Sequence, residues 1–313
     1  MRTFSFPSFI DVVMAFRFRA SLIIAVLVVV GTIPLCSQPL RPGATATPRD
    51  DRSGVVDTVR LVYDFEPGES VTYRVTTVDT LFFHGANSFI QAAERTYHVT
   101  WRCDSITYDG IALTMSYGGY VAREWRDTFP GVVRTAHPWT DRTFSMLMND
   151  DGRRIRFLSS TDTPAVSPAG PFQPMLLPYL GEPWTRVGAS QQFELNHWLL
   201  DNVAPSILYG GSVFRTVVAR EDTLGVPTVL LSIAETGRAK YLAPNASETA
   251  AIINGAARIW FSPMLGFPVA GDFEATTNLT LTAPNGDLAS GRQMIRTHFA
   301  MVPPDEALNG ALR

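Results

Sequence analysis

In "TYHVTWRCDS" the odd positions Tyr97, Val99, Trp101 and Cys103 are apolar, and the even positions His98, Thr100, Arg102 and Asp104 are polar. After "ITYDG" the alternation resumes, with Ile111, Leu113, Met115 and Tyr117 against Ala112, Thr114 and Ser116. A period of two predicts a strand, a turn at Asp109-Gly110 and a second strand. One face is apolar and the other wet, as in an antiparallel sheet covered on one side. Cys103 falls on the apolar face, which makes it a buried small hydrophobe and not a reactive thiol.

The same pattern runs through "TFSMLMNDDGRRIRFLS", turning at Asp151-Gly152, and "SVFRTVVAREDTLGVPTVLLSIAE", turning at Asp222 to Gly225. It closes in "ARIWFSPMLGFPVAGDFEATTNLTLT", where "PMLG" joins a strand ending at Ser262 to one running from Val269 to Thr282. Only "APNASETAAIINGAAR", Ala243 to Arg258, reads as a short helix, with Ser247 as its N-cap. The expected fold class is therefore all-β: two tandem related antiparallel β modules, as curved sheets or half-barrels, with at most one or two short helices.

The two modules are read from landmarks. "EPGESVTYRV" around Gly68 is echoed by "RVGASQQFEL" around Gly188, 120 positions later. The hairpin at Gly110 is echoed at Gly225, 115 later, and the turn at Gly152 at Gly266, 114 later. Small loop insertions account for such drift. The predicted organisation is a signal peptide over 1–37, a flexible leader over 38–54, a first β module over 55–160 and a Pro-rich connector over 161–173. A second β module covers 174–282, and a C-terminal segment and tail covers 283–313. Whether the modules are separate domains or one continuous sheet stays open at this point.

The N-terminus changes the picture next. Arg17 and Arg19 precede the apolar run "ASLIIAVLVVVGTIPL", and small residues follow in "LCSQ". Pro34 cuts the run short of the roughly 20 apolar residues a spanning helix needs, so it reads as a secretory signal cleaved near Ser37. Met14 makes a more ordinary start than Met1. Lipid attachment at Cys36 is the lesser alternative, because Leu35 stands where a small residue is usual. Export to the periplasm or beyond is the expected localisation, with no membrane span after cleavage.

Beyond Ser37 only Cys103 remains, so no internal disulfide is expected and the core carries the stability. Removing Arg2, Arg17, Arg19 and Asp11 from the formal counts leaves 23 basic and 28 acidic residues, a net of −5. Lys240 is the single lysine. The nearest approach to a basic cluster is "DGRRIR" at Asp151 to Arg156, a turn and a solvated strand face, so nucleic acid is not an expected partner.

Candidate chemistry is sparse. His84, His98, His137, His197 and His298 sit in separate segments, without His-x-x-x-His or HExxH spacing, and no metal or cofactor is expected. No G-x-S-x-G elbow, P-loop or dinucleotide fingerprint is present, although a triad assembled from distant positions needs no local motif. Asp272 and Glu274 share one strand face, about 6.5–7 Å apart, and a glycosidase needs two facing carboxyls. Ala270, Thr276, Asn278, Thr280 and Thr282 lie on that same face, so it reads as the wet side of a half-buried strand. Trp101, Trp125, Trp139, Trp184, Trp198 and Trp260 fill a core, or line a cavity for an apolar ligand.

"LLPYLGEPWTRVGASQQFEL" resembles a phrase of exported bacterial β-rich proteins that carry a domain of unknown function: a Leu-Pro pair, a P-V-x-V-G-D-x-W-like turn, then a strand. "DTLGVPTVLLSI" and "WFSPMLGFPVAGDFE" extend the resemblance, while Ala189 and Gln191 depart from the usual Asp and Trp. The chain is also similar, more loosely, to periplasmic lipoprotein carriers, whose half-barrel strands hold a lipid chain. The resemblance implies an exported β-rich chain and no particular activity.

The expected function is non-enzymatic binding of a lipid, another hydrophobic small molecule or an envelope component. Two alternatives stand beside it. One is a structural or assembly protein presenting a β-sheet surface to an envelope protein. The other is a hydrolase with a dispersed site, which requires a His from one segment to meet a Ser or carboxylate from another.

Overall fold

The computed structural model describes residues 57–85, 88–127, 129–136, 140, 143–157, 176–196, 207–242 and 248–303. The expected signal peptide over 1–37, leader over 38–54 and connector over 161–173, together with His137, His197, Trp139 and Trp198, lie outside them. Fourteen strands are described: β1 (Thr58–Arg60), β2 (Ser70–His84), β3 (Phe89–Thr107), β4 (Gly110–Arg126), β5 (Phe129–Arg134), β6 (Thr143–Met148) and β7 (Arg154–Phe157). They continue with β8 (Trp184–Arg186), β9 (Ser190–Asn196), β10 (Ile207–Thr223), β11 (Val226–Leu242), β12 (Glu248–Ser262), β13 (Phe267–Thr282) and β14 (Leu288–Met301). Among the described residues no α-helix occurs, and so none is long and apolar enough to cross a membrane.

The fold is all-β and antiparallel. Twelve strands form one sheet in the order β7-β6-β4-β3-β2-β14-β13-β12-β11-β10-β9, with β5 also paired to β4. The two predicted modules therefore share a single sheet. Strand β14, from the C-terminal segment, joins them by pairing with β13 on one side and β2 on the other. The described strands do not close into a barrel. The remaining pair, β1 with β8, makes a small separate ribbon.

Alternation governs nearly every long strand. Along β2 exposed or half-buried residues alternate with buried ones from Ser70 to His84. The expected helix at Ala243–Arg258 is corrected by the same rule. Thr249, Ala251, Ile253, Gly255, Ala257 and Ile259 are buried and the residues between them are not, so residues 248–262 form β12. Helix propensity in its alanines yields to an inward stripe of period two. Between Ser262 and Phe267 lies the expected "PMLG" turn, and Asp272 and Glu274 project to the wet face as predicted.

All the long strands turn one face into a single cluster, which requires the sheet to curl around its own inner face. One end of that face is closed by the segment after β1. Leu61, Tyr63 and Phe65 are buried in the cluster, together with Leu176, Leu177 and Leu180. Backbone bonds tie the segment to the hairpin turns: Tyr63 N–H donates to the Asp150 carbonyl and Asp64 N–H to the Gly266 carbonyl. Tyr63 Oη donates to the Pro178 carbonyl at 2.7 Å. Gly266, at φ 73°, has Asp64 backbone where a Cβ would stand, so only glycine lets the segment lie this close.

Two corners of the sheet are built alike. Gly68 N–H donates to the Cys103 carbonyl and Cys103 N–H to the Glu69 carbonyl. Gly188 N–H donates to the Val217 carbonyl and Val217 N–H to the Ala189 carbonyl. Both glycines are left-handed, at φ 87° and 85°. A bulge follows each corner, between Cys103 and Ser105 and between Val217 and Ala219. Equating Gly68 with Gly188 and Cys103 with Val217 places Arg215 where the other half has Trp101.

Candidate functional site

Register places the inward side chains in rows across the sheet. The rows next to the closed end are apolar and aromatic, with Tyr73, Tyr97, Val99, Trp101, Leu113, Phe261 and Phe299 buried. At the opposite ends of β2, β3 and β13 a second small cluster joins Leu81, Phe83, Phe89 and Leu281. Between the two lies a polar belt. One row runs Thr277–Gln293–Leu81–Gln91. The next carries Glu235, Asp79 and Glu124, linked through Gly255, Ala275, Ile295 and Ala93. The third carries Arg215, Arg95 and Arg134, linked through Ile233, Ala257, Phe273, Thr297, Thr77 and Ala122.

A row of carboxylates beside a row of guanidinium groups pairs diagonally across neighbouring strands. Arg95 Nη1 meets Asp79 Oδ2 at 2.9 Å, with each side chain about 5 % exposed. Burial opposes the charge on Arg95, but Asp79, with Tyr120 and Glu124, outweighs it and holds the guanidinium above its ordinary value. Arg134 Nε donates to Glu124 Oε2 at 2.8 Å. Gln293 Nε2 reaches Asp79 Oδ1 at 3.5 Å, and Thr77 and Thr297 share a hydroxyl contact at 3.2 Å. Burial pushes the Tyr97 and Tyr120 hydroxyls up. Five buried polar atoms of the belt have no hydrogen-bond partner: Gln91 Oε1, Thr277 Oγ1, Arg134 Nη2, and Nε and Nη1 of Arg215. Native interiors leave few such atoms, and each asks for a partner.

The belt was readable only by extending the alternation. Continuing the apolar phase of β3 backwards from Tyr97 gives Arg95, Ala93 and Gln91, and continuing that of β2 forwards from Val75 gives Thr77 and Asp79. Polar residues in an inward phase are the signal, and no local motif announces them.

The residues singled out in the sequence are scattered. Asp272 and Glu274 do not work as a pair: Asp272 Oδ1 meets His298 Nδ1 at 2.7 Å, and Glu274 pairs with Arg296 at 3.1 Å. Both contacts cross between strands on the open outer face, and the Glu274–Arg296 ion pair is of the exposed kind that contributes about 0–1 kcal/mol. His298 is thus the one described histidine in reach of a carboxylate, on a flat surface that excludes no water. His98 is half-buried on the outer face and pushed down by burial and then by Arg74. His84 is exposed at the end of β2. Cys103 is buried, and burial pushes its thiol up. Trp101 alone among the described tryptophans is in the core. Trp184 is largely exposed, and Trp260 donates to Glu221 on the surface. No group of three metal-ligating side chains exists among the described residues.

The outer face carries Arg74, Arg123, Arg238, Arg258, Arg292 and Arg296 with Glu94, Asp272 and Glu274. Its apolar members are dispersed among polar ones, as in the row Arg238–Ile252–Asn278–Arg292–Phe82–Ile90. A membrane-spanning barrel has the reverse polarity, apolar outside and polar within.

No family model matches the chain, and no curated protein matches it. Among solved structures, lipovitellin, described for its lipid–protein interactions, is similar over 77 % of this chain at 10 % identity and a TM-score of 0.45. The matched region is 26 % of lipovitellin's length. An outer membrane channel from Pseudomonas putida F1 is similar over 77 % of this chain and 97 % of its own, at 10 % identity and a TM-score of 0.22. DynF from the dynemicin biosynthesis pathway of Micromonospora chersina covers 85 % of this chain and 95 % of its own, at 9 % identity and a TM-score of 0.21. At these scores none of the three decides a function.

Proposed function

We propose that this chain is an exported, non-enzymatic binding protein that holds a hydrophobic or amphiphilic small molecule against the inner face of its curved sheet. The observation that carries the reading is the inverted polarity of the sheet: charged outside, apolar inside, with a polar belt across the inner face. Pockets for apolar ligands have this composition, a mostly hydrophobic wall with a few placed polar groups. The belt supplies those groups, and its unpartnered atoms give a ligand's polar end something to meet.

Export rests on the N-terminal signal pattern. The dispersed outer face disfavours the assembly reading, since a partner surface calls for a contiguous apolar patch.

The test is titration of the full chain with an environment-sensitive fluorescent fatty-acid analogue. Saturable enhancement, displaced by unlabelled oleate, is expected. A chain that gives no saturable signal with any apolar probe sinks the reading.

A further inference from the structure

We infer that Arg215 is the anchor for an anionic oxygen group, a carboxylate or phosphate, and so sets the charge of the ligand that the inner face accepts. This rests on the binding function proposed above and narrows it to an anionic amphiphile.

Arg215 is fully buried on β10. Its Nη2 donates to Thr185 Oγ1 at 3.1 Å and to Gln191 Oε1 at 2.6 Å. Its Nε and Nη1 have no partner, which leaves three N–H donors unused in the interior. No ion pair to Arg215 exists among the described residues, although the other two arginines of its row each have one. Glu235 stands at the same diagonal offset from Arg215 that Asp79 holds from Arg95, yet Arg215 turns instead to β8 and β9. The carboxylate on that side, Glu182, is kept one side chain away: Gln191 takes it on Nε2 at 3.2 Å and offers Oε1 to Arg215. The guanidinium also lies over the Phe193 ring at 5.6 Å.

Thr185, Gln191 and Phe193 hold the group in place without neutralising it. Gly181, at φ 70°, lets the chain pass so close that a Cβ would strike the Phe193 ring. A buried charge without a counter-ion is costly, and proteins ordinarily pair it. The equivalent corner of the first half avoids the problem by placing Trp101 there. Burial draws the Arg215 guanidinium down to about 10, which still leaves it cationic at neutral pH. A rigid, desolvated guanidinium with free donors is the group that recognises carboxylate and phosphate. Ile233 and Ala257 follow Arg215 in its row and offer an apolar wall for the remainder of such a molecule.

The experiment compares three probes on the full chain by isothermal titration calorimetry: oleate, oleyl alcohol and inorganic phosphate. Wild type is expected to prefer oleate over oleyl alcohol by about tenfold or more, a difference of about 1.4 kcal/mol. Arg215→Met is expected to abolish that preference by lowering oleate affinity to the level of oleyl alcohol. Inorganic phosphate that binds wild type and not Arg215→Met would assign the anchor to free anions, and phosphate without effect assigns it to the amphiphile's own head group. Equal binding of oleate and oleyl alcohol by wild type overturns the inference and leaves the binding function standing, and this arm needs no variant to fold. Binding of neither lipid, with phosphate inert, overturns both.

Discussion

The corners at Gly68 and Gly188 have the same backbone and different contents. Each has a left-handed glycine, the same pair of backbone hydrogen bonds and a bulge just beyond. One holds the indole of Trp101, the other the guanidinium of Arg215, and both side chains are almost wholly buried. Turn chemistry and bulge position are set by backbone constraints, so they repeat. What fills the space is limited only by volume and by whether its polar atoms find partners, so it diverges. The repeated corners fit our reading of two related modules. Their divergence sets a corner with one unpartnered neutral donor, the Trp101 indole N–H, against one with an unpartnered charge.

The comparison can be broken most forcefully at its structural side. Trp101→Ala is expected to lose about 3–5 kcal/mol of stability, the usual range for emptying a large buried aromatic site. Asp79→Asn is expected to lose about 3–5 kcal/mol, because it leaves Arg95 buried without its counter-ion. Urea unfolding checks both. Arg215→Met should show no comparable loss, and an unchanged or higher urea midpoint is expected because an unpaired buried charge is removed. A loss as large as that of Trp101→Ala would mean that Arg215 is as purely structural as the indole it replaces.

Alkaline pH sharpens the same contrast. Burial raises the Tyr73, Tyr97 and Tyr117 hydroxyls above their unfolded values near 10. The folded chain therefore keeps protons that the unfolded chain releases. Stability is complete below about pH 10 and falls as pH rises beyond it, by up to about 1.4 kcal/mol per pH unit for each such tyrosine. These tyrosines lie in the aromatic first half. Tyr73→Phe, which keeps the ring and removes the titrating group, should flatten the fall, measured as urea midpoints between pH 9 and 11. The smallest effect belongs to the corners themselves. Gly68→Ala and Gly188→Ala meet no atom within 4 Å, so each costs only left-handed strain, about 1–2 kcal/mol. Equal costs in thermal melts support equivalent corners, and a twofold or larger disparity would separate them.

Much of the fold was legible because it is local. Alternation around Trp101, the turns at Gly110 and Gly225 and the wet position of Asp272 and Glu274 need only neighbours in sequence. Strand β12 was misread because Ala250, Ala251, Ala256 and Ala257 suit a helix until a neighbouring strand claims every second one. Strand β14 was hidden because its inward phase holds Gln293 and Thr297 while Met294 faces out, which blurs the contrast that alternation depends on. The belt was invisible for a related reason. Asp79, Arg95 and Glu124 become one network only when β2, β3 and β4 lie side by side, and Arg215 looks like any strand arginine until its partners are counted.

The most direct test of the account is native mass spectrometry of the chain purified from its own host without detergent. The account predicts a species heavier than the polypeptide by one amphiphile, lost on organic extraction and recovered in the extract as a molecule bearing an acid group. A polypeptide mass alone, in a preparation that also fails to take up added oleate, would contradict it.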